Sequence, residues 1–351
     1  MPRSQPAICS DLILVNGCEG DPVLYLDYPD RDNAVLFDAG DVAALDAKRL
    51  ADLDAVFLTH HHADHFSDLD RIIRANLNSD KTVEIFGPSG TIERVYDRVR
   101  SYAHSYFPFQ KLVLSVNDVM DDQVLHANLE YSKRFPEPNP QIRAQEGNGE
   151  LWRNTSARVF VAPTDHTVPG LAYALVENSG YSLNEPKIDS SSLRRGPWLG
   201  ELIQRMVEAN GEIDKDDRIR IEGGVFSVSE LANRFLVRST GHKFVYIVDT
   251  LYDPETTTGQ ALKRLAQGAD RLFGDCFYRD RDAKAAAKHH HLTTSDLARL
   301  AIDAKVKRIT PIHFSGRYAG QGERTIEELR GHLAGSKTLI VPAEKSAISR
   351  P

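Results

Sequence analysis

One short segment constrains this chain more than any other, because four histidines and an aspartate lie within six residues directly after an apolar run. The segment reads Val56-Phe57-Leu58-Thr59-His60-His61-His62-Ala63-Asp64-His65. His60 and His62 are two residues apart, so an extended backbone projects both imidazoles to one side, where they could hold one ion. Asp64 and His65 follow where the chain turns and could offer an oxygen and a nitrogen to a second ion. Imidazole and carboxylate are both zinc ligands, so the segment predicts a metal site.

A simpler interpretation of this segment is a histidine tract on the surface, or a helix start capped by Asp64. A surface tract would not need a buried strand leading into it, and Ala55–Leu58 has the composition of a buried strand. The metal site is therefore the favoured interpretation.

Further ligand candidates share one position relative to the predicted strands. Each is a polar residue just after an apolar run: Asp165 and His166 follow Arg158–Val161, Asp249 follows Phe244–Val248, and His313 follows Arg308–Thr310. Any one of them alone is equally typical of a cap or a solvated loop. Because α/β folds gather their sites at the carboxyl ends of strands, the repeated relation favours one shared site.

The order of predicted elements indicates the fold class. Short apolar or alternating strands and helices of 3.6-residue spacing alternate through both halves of the 351 residues. With 41% hydrophobic residues, the chain can form a large core. Two halves of this kind predict a single layered α/β domain over residues 1–351, with sheets inside and helices outside.

Two stretches interrupt this alternation. Lys133–Asn154 contains three prolines within Phe135–Pro140 and little periodicity, which predicts a surface insertion. Tyr181–His242 is long and mixed in charge, and we expect it to form an arm or lid.

Charge and cysteine content bound the setting of the protein. The net charge of −7 argues against a protein that coats nucleic acid, and three scattered cysteines argue against a disulfide framework. No apolar run of 18 residues predicts a membrane span, and the first residues lack the pattern of a secretory signal. We expect a cytoplasmic protein.

Five segments match the motifs of a known family in order and rough spacing. Thr59–His65 matches the T-H-x-H-x-D-H signature of the metallo-β-lactamase superfamily. The others resemble its ribonuclease Z branch, the tRNA 3′-processing endonucleases. They are His166–Tyr173, like H-x-x-P-x-x-x-Y; Val248-Asp249-Thr250, like G-D-T; His291-Leu292-Thr293-Thr294, like H-S-T; and His313–Tyr318, like H-F-S-x-R-Y. The resemblance implies the fold of that superfamily, a four-layer αββα sandwich.

The resemblance also implies a ligand set for two zinc ions. Carried over residue by residue, one ion would be held by His60, His62 and His166, the other by Asp64, His65 and His313, and both by Asp249. Manganese or iron could replace zinc with these ligands. His61 falls at a variable position, and we expect it to be a bystander.

The same family motifs imply catalytic roles. Asp64 would orient the attacking water and accept its proton, and His291 would donate a proton to the leaving oxygen. His291 could instead belong to an exposed run with Lys288, His289 and His290. We interpret His289 and His290 as exposed surface residues. Arg317 is a candidate for substrate binding, because guanidinium binds phosphate bidentately, although a surface ion pair is nearly as plausible.

One position departs from the family pattern. Its glutamate before the H-S-T loop falls on Gly274, and Asp275 stands one place later. Either Asp275, itself a weaker candidate for substrate contact, takes over the carboxylate role, or the proton relay is altered.

The substrate is the least determined property. The resemblance implies cleavage of precursor tRNA by a homodimer, yet Tyr181–His242 lacks the basic bias of a tRNA clamp. A phosphodiesterase of the same fold acting on a cyclic nucleotide or another small ester would need no clamp. A lactam or thioester hydrolase and a non-catalytic metal-binding protein are further, weaker alternatives.

Overall fold

The computed structural model describes residues 11–28, 33–102, 110–144, 149–154, 156–178, 180–209, 213–239 and 241–343. They form two compact units. The main unit comprises the described residues of Asp11–Val176 and those from Lys243 onward, and the insert unit comprises those of Glu177–His242.

The strands and helices are numbered here in chain order. The strands are β1 Asp11–Leu14, β2 Leu24–Tyr28, β3 Asn33–Phe37, β4 Leu53–Phe57, β5 Thr82–Pro88, β6 Val113–Val119, β7 Gln123–Glu130, β8 Gln141–Ala144, β9 Glu150–Arg153, β10 Ala157–Pro163, β11 Leu171–Glu177, β12 Gly180–Leu183, β13 Arg218–Ile221, β14 Gly224–Ser227, β15 Leu236–Ser239, β16 Lys243–Ile247, β17 Arg271–Asp275, β18 Arg308–Ile312 and β19 Leu339–Ile340. The helices are α1 Ala47–Ala51, α2 Ala63–Phe66, α3 Leu69–Asn76, α4 Thr91–Arg100, α5 Glu185–Asp189, α6 Trp198–Glu208, α7 Val228–Phe235, α8 Thr257–Ala266, α9 Ala283–His289, α10 Thr294–Asp303 and α11 Gly322–His332.

The main unit contains two large sheets. Strands β1 to β8 form the first sheet in sequence order, with β3 to β6 parallel and the flanking strands antiparallel. The second sheet has the order β19-β18-β17-β16-β11-β10-β9, with β16 to β19 parallel. Parallel strands place several carboxyl ends at one edge of each sheet, which is where the candidate ligands follow in the sequence.

Alternation along the strands separates the layers. In β3, Ala34 and Leu36 pack with the core under α3 and α4, whereas Phe37 points the other way. Phe37 lies 5.7 Å from the ring of Tyr246 and 5.8 Å from Tyr173, both of the second sheet. A second helical core, with α8, α10 and α11, covers the outer face of that sheet. The predicted four-layer αββα sandwich is therefore confirmed.

The two stretches singled out by composition have regular structure. Lys133–Asn154 contains β8, which extends the first sheet, and β9, which extends the second and buries Trp152. Tyr181–His242 contains the β13–β14 hairpin, the antiparallel pair of β12 and β15, and three helices around a core of its own, which includes Trp198, Leu202 and Phe235. The assignments of Lys133–Asn154 as a surface insertion and of Tyr181–His242 as an arm or lid remain predictions.

The β6–β7 hairpin is the largest part of the main unit that the sequence did not predict. β6 buries Ser115, Asn117 and Asp118, and these polar residues hide the strand pattern. Asp118 has a structural reason to be there, because its carboxylate accepts hydrogen bonds from the backbone amides of Gly90 and Ile92 at the start of α4.

Within the described residues, no helix has the length and apolar character needed to cross a bilayer.

Candidate metal centre

The predicted ligands meet because each follows a strand of the main unit. The loop from His60 to His65 follows β4 and runs into α2, and His166 follows β10. Asp249 follows β16, and His313 follows β18. Asp64 and His313, 249 positions apart in the sequence, are thereby brought to 3.4 Å from one another.

His60, His62 and His166 form the first group of converging nitrogens. His60 Nε2 lies 2.9 Å from His62 Nδ1, and His166 Nε2 lies 3.4 Å from that same atom. His60 is buried, while His62 is exposed and His166 half-buried, so one side of this group faces solvent. Three ring nitrogens that point at one spot are the arrangement that a single metal ion requires.

Asp64, His65 and His313 form the second group. Oδ2 of Asp64 lies 3.5 Å from His65 Nε2 and 3.4 Å from His313 Nε2. Both imidazoles are buried, whereas the Asp64 side chain is 43% exposed. Its carboxylate is thus the part of this group that a substrate can reach.

Asp249 lies between the two groups. Its Oδ2 is 3.3 Å from His60 Nε2 and 2.9 Å from His65 Nε2, and its Oδ1 is 3.0 Å from His313 Nδ1. Asp249 and His313 both have left-handed backbone conformations, with φ of 51° and 59°. Such backbone is unfavourable for residues other than glycine and concentrates at functional sites, where it directs a side chain sharply off a strand end.

Buried polar atoms at this centre show that the residues fit a divalent metal. His65 Nε2 and Asp249 Oδ1 are buried and, despite their short separations from charged neighbours, make no hydrogen bond of good geometry within the described residues. A buried polar atom left without such a bond costs about 1–3 kcal/mol. Bound cations would satisfy these atoms, and the nitrogen and oxygen donors suit zinc, manganese or iron.

The charge states of the histidines differ across the centre. Burial, reinforced by the charge on His65, lowers the pKa of His60 to about 2, so its imidazole is neutral as a metal ligand must be. Burial also lowers the pKa of His166. Burial alone would lower the pKa of His65 too, but the carboxylates of Asp38 and Asp249 raise it well above its ordinary value.

Asp38 holds the second group from behind and was not singled out from the sequence. Its buried carboxylate accepts hydrogen bonds from the Thr59 amide at 2.7 Å, His65 Nδ1 at 2.8 Å and the Tyr246 hydroxyl at 3.1 Å. The bond from Nδ1 turns His65 Nε2 toward Asp64 and Asp249. Asp38 follows β3 directly, and that shared position after a strand was the signal that could have found it.

His291 lies beside Asp249. Its Nδ1 is 3.1 Å from Asp275 Oδ2 and 2.9 Å from Asp249 Oδ1, and the ring of Phe277 stacks on it with centroids 4.1 Å apart. Burial would lower the pKa of His291, but the Asp275 and Asp249 carboxylates raise it to about 10. At neutral pH the imidazole is therefore a proton donor.

The structure gives a reason for the glycine in place of the family glutamate. A Cβ on Gly274 would stand 2.4 Å from Leu297 Cδ1, so this position faces α10 and not His291. Asp275 is fully buried, and its oxygens also accept from the amides of Phe277 and Leu292. Its geometry favours the role of carboxylate partner to His291 over direct substrate contact.

The remaining candidates lie apart from the ligand groups. Arg317 is half exposed and forms an ion pair with Asp282 at 2.9 Å, the surface ion pair considered from the sequence, so its substrate role stays a prediction. His61 Nε2 lies 2.8 Å from the Thr91 hydroxyl. This bond directs His61 away from the centre, as expected for a bystander.

His290, which the sequence placed in an exposed run, has a structural role. Its Nδ1 lies 2.9 Å from Asp165 Oδ1, and its carbonyl accepts a hydrogen bond from His166 Nδ1 at 3.2 Å. The carbonyl reaches His166 because His290 adopts φ of 56°. The loop that carries His291 is thereby joined to the loop that carries His166.

Comparisons with known proteins agree with this geometry. A family model described as beta-lactamase superfamily domain matches residues 33–136. A ribonuclease Z of Deinococcus radiodurans is 26% identical over 267 residues, 76% of either chain, and one of Nanoarchaeum equitans is 25% identical over 315 residues, 88% of this chain and 81% of that one. In fold, the chain is similar to the metallo-beta-lactamase fold protein YhfI of Bacillus subtilis, with a TM-score of 0.52, 16% identity and coverage of 95% and 96%. Residues 33–136 thus match a beta-lactamase superfamily domain, and the chain is similar over most of its length to ribonucleases Z.

Proposed function

We propose that this protein is a metal-dependent phosphodiesterase of the ribonuclease Z type, which cleaves precursor tRNA at its 3′ side. Ribonucleases Z align with three quarters or more of the chain, and that alignment supports the substrate. The observation that carries the chemistry is His291, a proton donor held by Asp275 and Asp249 beside two groups of metal-binding side chains.

We propose the division of metal ligands that the family motifs imply. His60, His62 and His166 would hold one divalent ion, Asp64, His65 and His313 another, and Asp249 both, with zinc as the proposed metal. When bound, such ions supply positive charge at the phosphoryl group and activate water for attack.

Asp64 has the properties of a proton acceptor. Burial would raise the pKa of its carboxyl, but the adjacent imidazoles of His313 and His65 lower it well below its ordinary value. The group is therefore ionised at neutral pH, and it is the exposed member of its ligand group. In this position it can orient the attacking water and take up its proton.

His291 has the complementary role. Its Nδ1 is occupied by carboxylate oxygens, which leaves Nε2 to face a leaving oxygen. A positioned general acid of this kind contributes about 10²–10⁴-fold to the rate. The stacked ring of Phe277 restricts the imidazole to one plane and so maintains the orientation of Nε2.

The test uses purified protein loaded with zinc, a precursor tRNA with a 3′ trailer, and cyclic nucleotides as small phosphodiesters. We expect cleavage of the precursor, its loss by about 10²-fold or more in His291→Ala, and retention in the control His61→Ala, whose ring faces Thr91. If the protein hydrolyses the cyclic nucleotide but not the precursor, its substrate is a small phosphodiester and not tRNA. If the protein binds metal but hydrolyses neither the precursor nor the cyclic nucleotide, the proposal that it is an enzyme is refuted.

The family resemblance also supports a homodimer. Light scattering coupled to size-exclusion chromatography should give twice the mass of the 39.2 kDa chain.

A further inference from the structure

We propose that a groove between β10 and α8 binds the single-stranded RNA that lies beyond the cleaved bond. The inference rests on the proposed function, because it concerns the same substrate. It adds to the metal centre a second binding surface within the main unit.

The groove begins beside the metal centre. A cavity of about 630 Å³ lies between the β10–β11 loop, with Thr164 and Gly170, and the first turn of α8, with Thr257 and Thr258. Its wall is tied to the metal-binding loop, because the Leu171 amide donates to the carbonyl of Thr59 at 2.9 Å. A chain leaving the metal centre can therefore enter this cavity directly.

The chemistry of this near cavity suits a nucleobase better than a phosphate. Met120, Pro88 and Pro169 supply apolar surface, and the threonines supply hydroxyls. The one charged side chain in its lining is Asp121, which repels a phosphate.

A second cavity of about 450 Å³ continues the groove along the same strand. Both cavities are lined by Val161, Ala162 and Pro163 of β10, and α8 forms the opposite wall further on, through Ala261 and Arg264. From Thr164 back to Arg158 the strand covers about 20 Å at 3.3 Å per residue. The groove is therefore long enough for a short single strand.

The far cavity has the composition of a single-strand binding site. Arg158, Lys243 and Arg264 line it together with Phe160, and the Arg158 guanidinium lies 5.7 Å from the Phe160 ring. Cations that follow the phosphates and an aromatic ring on which a base stacks are the two parts that single-stranded nucleic acid requires. The change from a near end whose carboxylate disfavours phosphate to a basic far end matches a strand that first places a base and then its phosphates.

The three cations differ in their availability. Arg264 is exposed and forms no ion pair within the described part of the chain. Arg158 lies 3.9 Å from Glu150, a carboxylate that Arg153 approaches more closely. Lys243 donates to the Gln267 carbonyl and lies near Asp270, so its charge is partly balanced. Arg264 is therefore the first phosphate ligand to test.

The binding test measures a short fluorescent oligouridine by anisotropy across a salt series, in the His291→Ala background so that no RNA is cut. We expect Arg264→Glu to weaken binding about tenfold and to reduce the slope of log affinity against log salt by about 0.7, the value for one phosphate contact on a single strand. Phe160→Leu should weaken binding about fivefold or more through lost stacking, with the salt slope preserved. Lys263→Glu is the matched control, because it changes the same charge on the neighbouring α8 residue, outside the groove lining.

A cleavage assay separates this inference from the proposed function. Precursors with a one-nucleotide trailer and with a trailer of about ten nucleotides are compared, and the longer one should have the lower KM. Arg264→Glu should raise the KM of the long-trailer precursor more than that of the short one. Equal effects of Arg264→Glu and Lys263→Glu, or a KM independent of trailer length, would overturn the groove while leaving the nuclease intact. Absence of any precursor cleavage by wild type would refute the proposed function, and the oligouridine titration would still decide whether the groove binds RNA.

Discussion

His291 Nδ1 lies 3.1 Å from Oδ2 of Asp275, a carboxylate one position later in the sequence than the family pattern places its glutamate. The position before it, Gly274, faces Leu297 of α10, and a side chain there would require Leu297 to shift. In a strand, neighbouring residues point to opposite faces. The carboxylate partner of His291 is thus supplied by the residue on the face of β17 that turns toward the centre.

The first prediction concerns the pH dependence that this pair creates. The pKa of His291 is raised to about 10, so its protonated form persists far above pH 6.5. In Asp275→Asn the charge of the partner is lost and the pKa falls, so the alkaline limb of the kcat profile should move to lower pH. The profile is measured at saturating precursor, with metal content checked for each variant. An unshifted alkaline limb would show that Asp275 does not set the protonation of His291.

The second prediction concerns His290. Its side chain holds Asp165 and its carbonyl holds His166 Nδ1, so its loss should loosen one metal ligand. Removing such an outer partner typically lowers metal affinity about 10–100-fold. In His290→Gly, glycine retains the left-handed backbone and the carbonyl that accepts from His166, so the variant removes only the bond to Asp165. We expect zinc affinity, measured by competition with a chelating dye, to fall because the loop that carries His166 is then held less firmly. His289→Ala, next to it in the sequence, is the control, and equal affinities for the two variants would contradict the role of His290.

The third prediction concerns metal removal. Several buried polar atoms at the centre have no hydrogen bond within the described residues, so metal-free protein should be less stable. Ligand at 100 times its dissociation constant adds about 2.7 kcal/mol, which corresponds to a rise in Tm of several degrees. Thermal unfolding after chelation and after zinc return should show this difference. Asp249→Ala should abolish most of it and lower the zinc content, and two ions retained in that variant would refute the shared ligand.

The fourth prediction concerns Asp38, whose buried carboxylate accepts from Thr59, His65 and Tyr246. Because an amide cannot accept from all three, Asp38→Asn should destabilise the main unit by about 3 kcal/mol or more and reduce zinc binding. Tyr246→Phe removes one of these donors and should cost about 1 kcal/mol, with zinc binding preserved. Denaturant midpoints and zinc titrations measure both variants. If the two variants lose equal stability, Asp38 does not act through the whole network.

The fifth prediction concerns acid stability away from the metal centre. Glu328 accepts from Arg279, from the amide of Asp280 and from the hydroxyl of Thr294. Burial would raise the pKa of Glu328, but these bonds lower it. A lowered folded-state pKa adds stability above the unfolded-state value of about 4.3, and this stability disappears as the pH falls through the folded-state pKa.

Glu328→Gln should therefore cost about 1 kcal/mol at neutral pH and almost nothing at about pH 3. Urea midpoints of wild type and variant across this range make the comparison. A difference in midpoint that persists at the acid end would assign the effect to packing instead of charge.

Short-range patterns in the sequence were enough to predict the seven metal-ligand candidates and the layered α/β class. Both depend on patterns within short segments: a T-H-x-H-x-D-H run, and polar residues directly after apolar strands. The strands at these positions have the expected order because alternation and length are local properties of the chain. The ends of these strands are predicted less accurately than their order. For example, β10 was predicted as Arg158–Val161 and is observed as Ala157–Pro163.

The residues that support those ligands could be identified only from contacts in the folded chain. Asp38 meets Tyr246 across 208 positions, and His290 meets Asp165 across 125. No spacing rule links such residues, because their separation in space is set by the stacking of the two sheets and by the left-handed turns after the strands. The choice of Asp275 over Gly274 likewise depends on which face of β17 is covered by α10. Contacts of this kind arise from packing between layers, and a linear sequence does not display them.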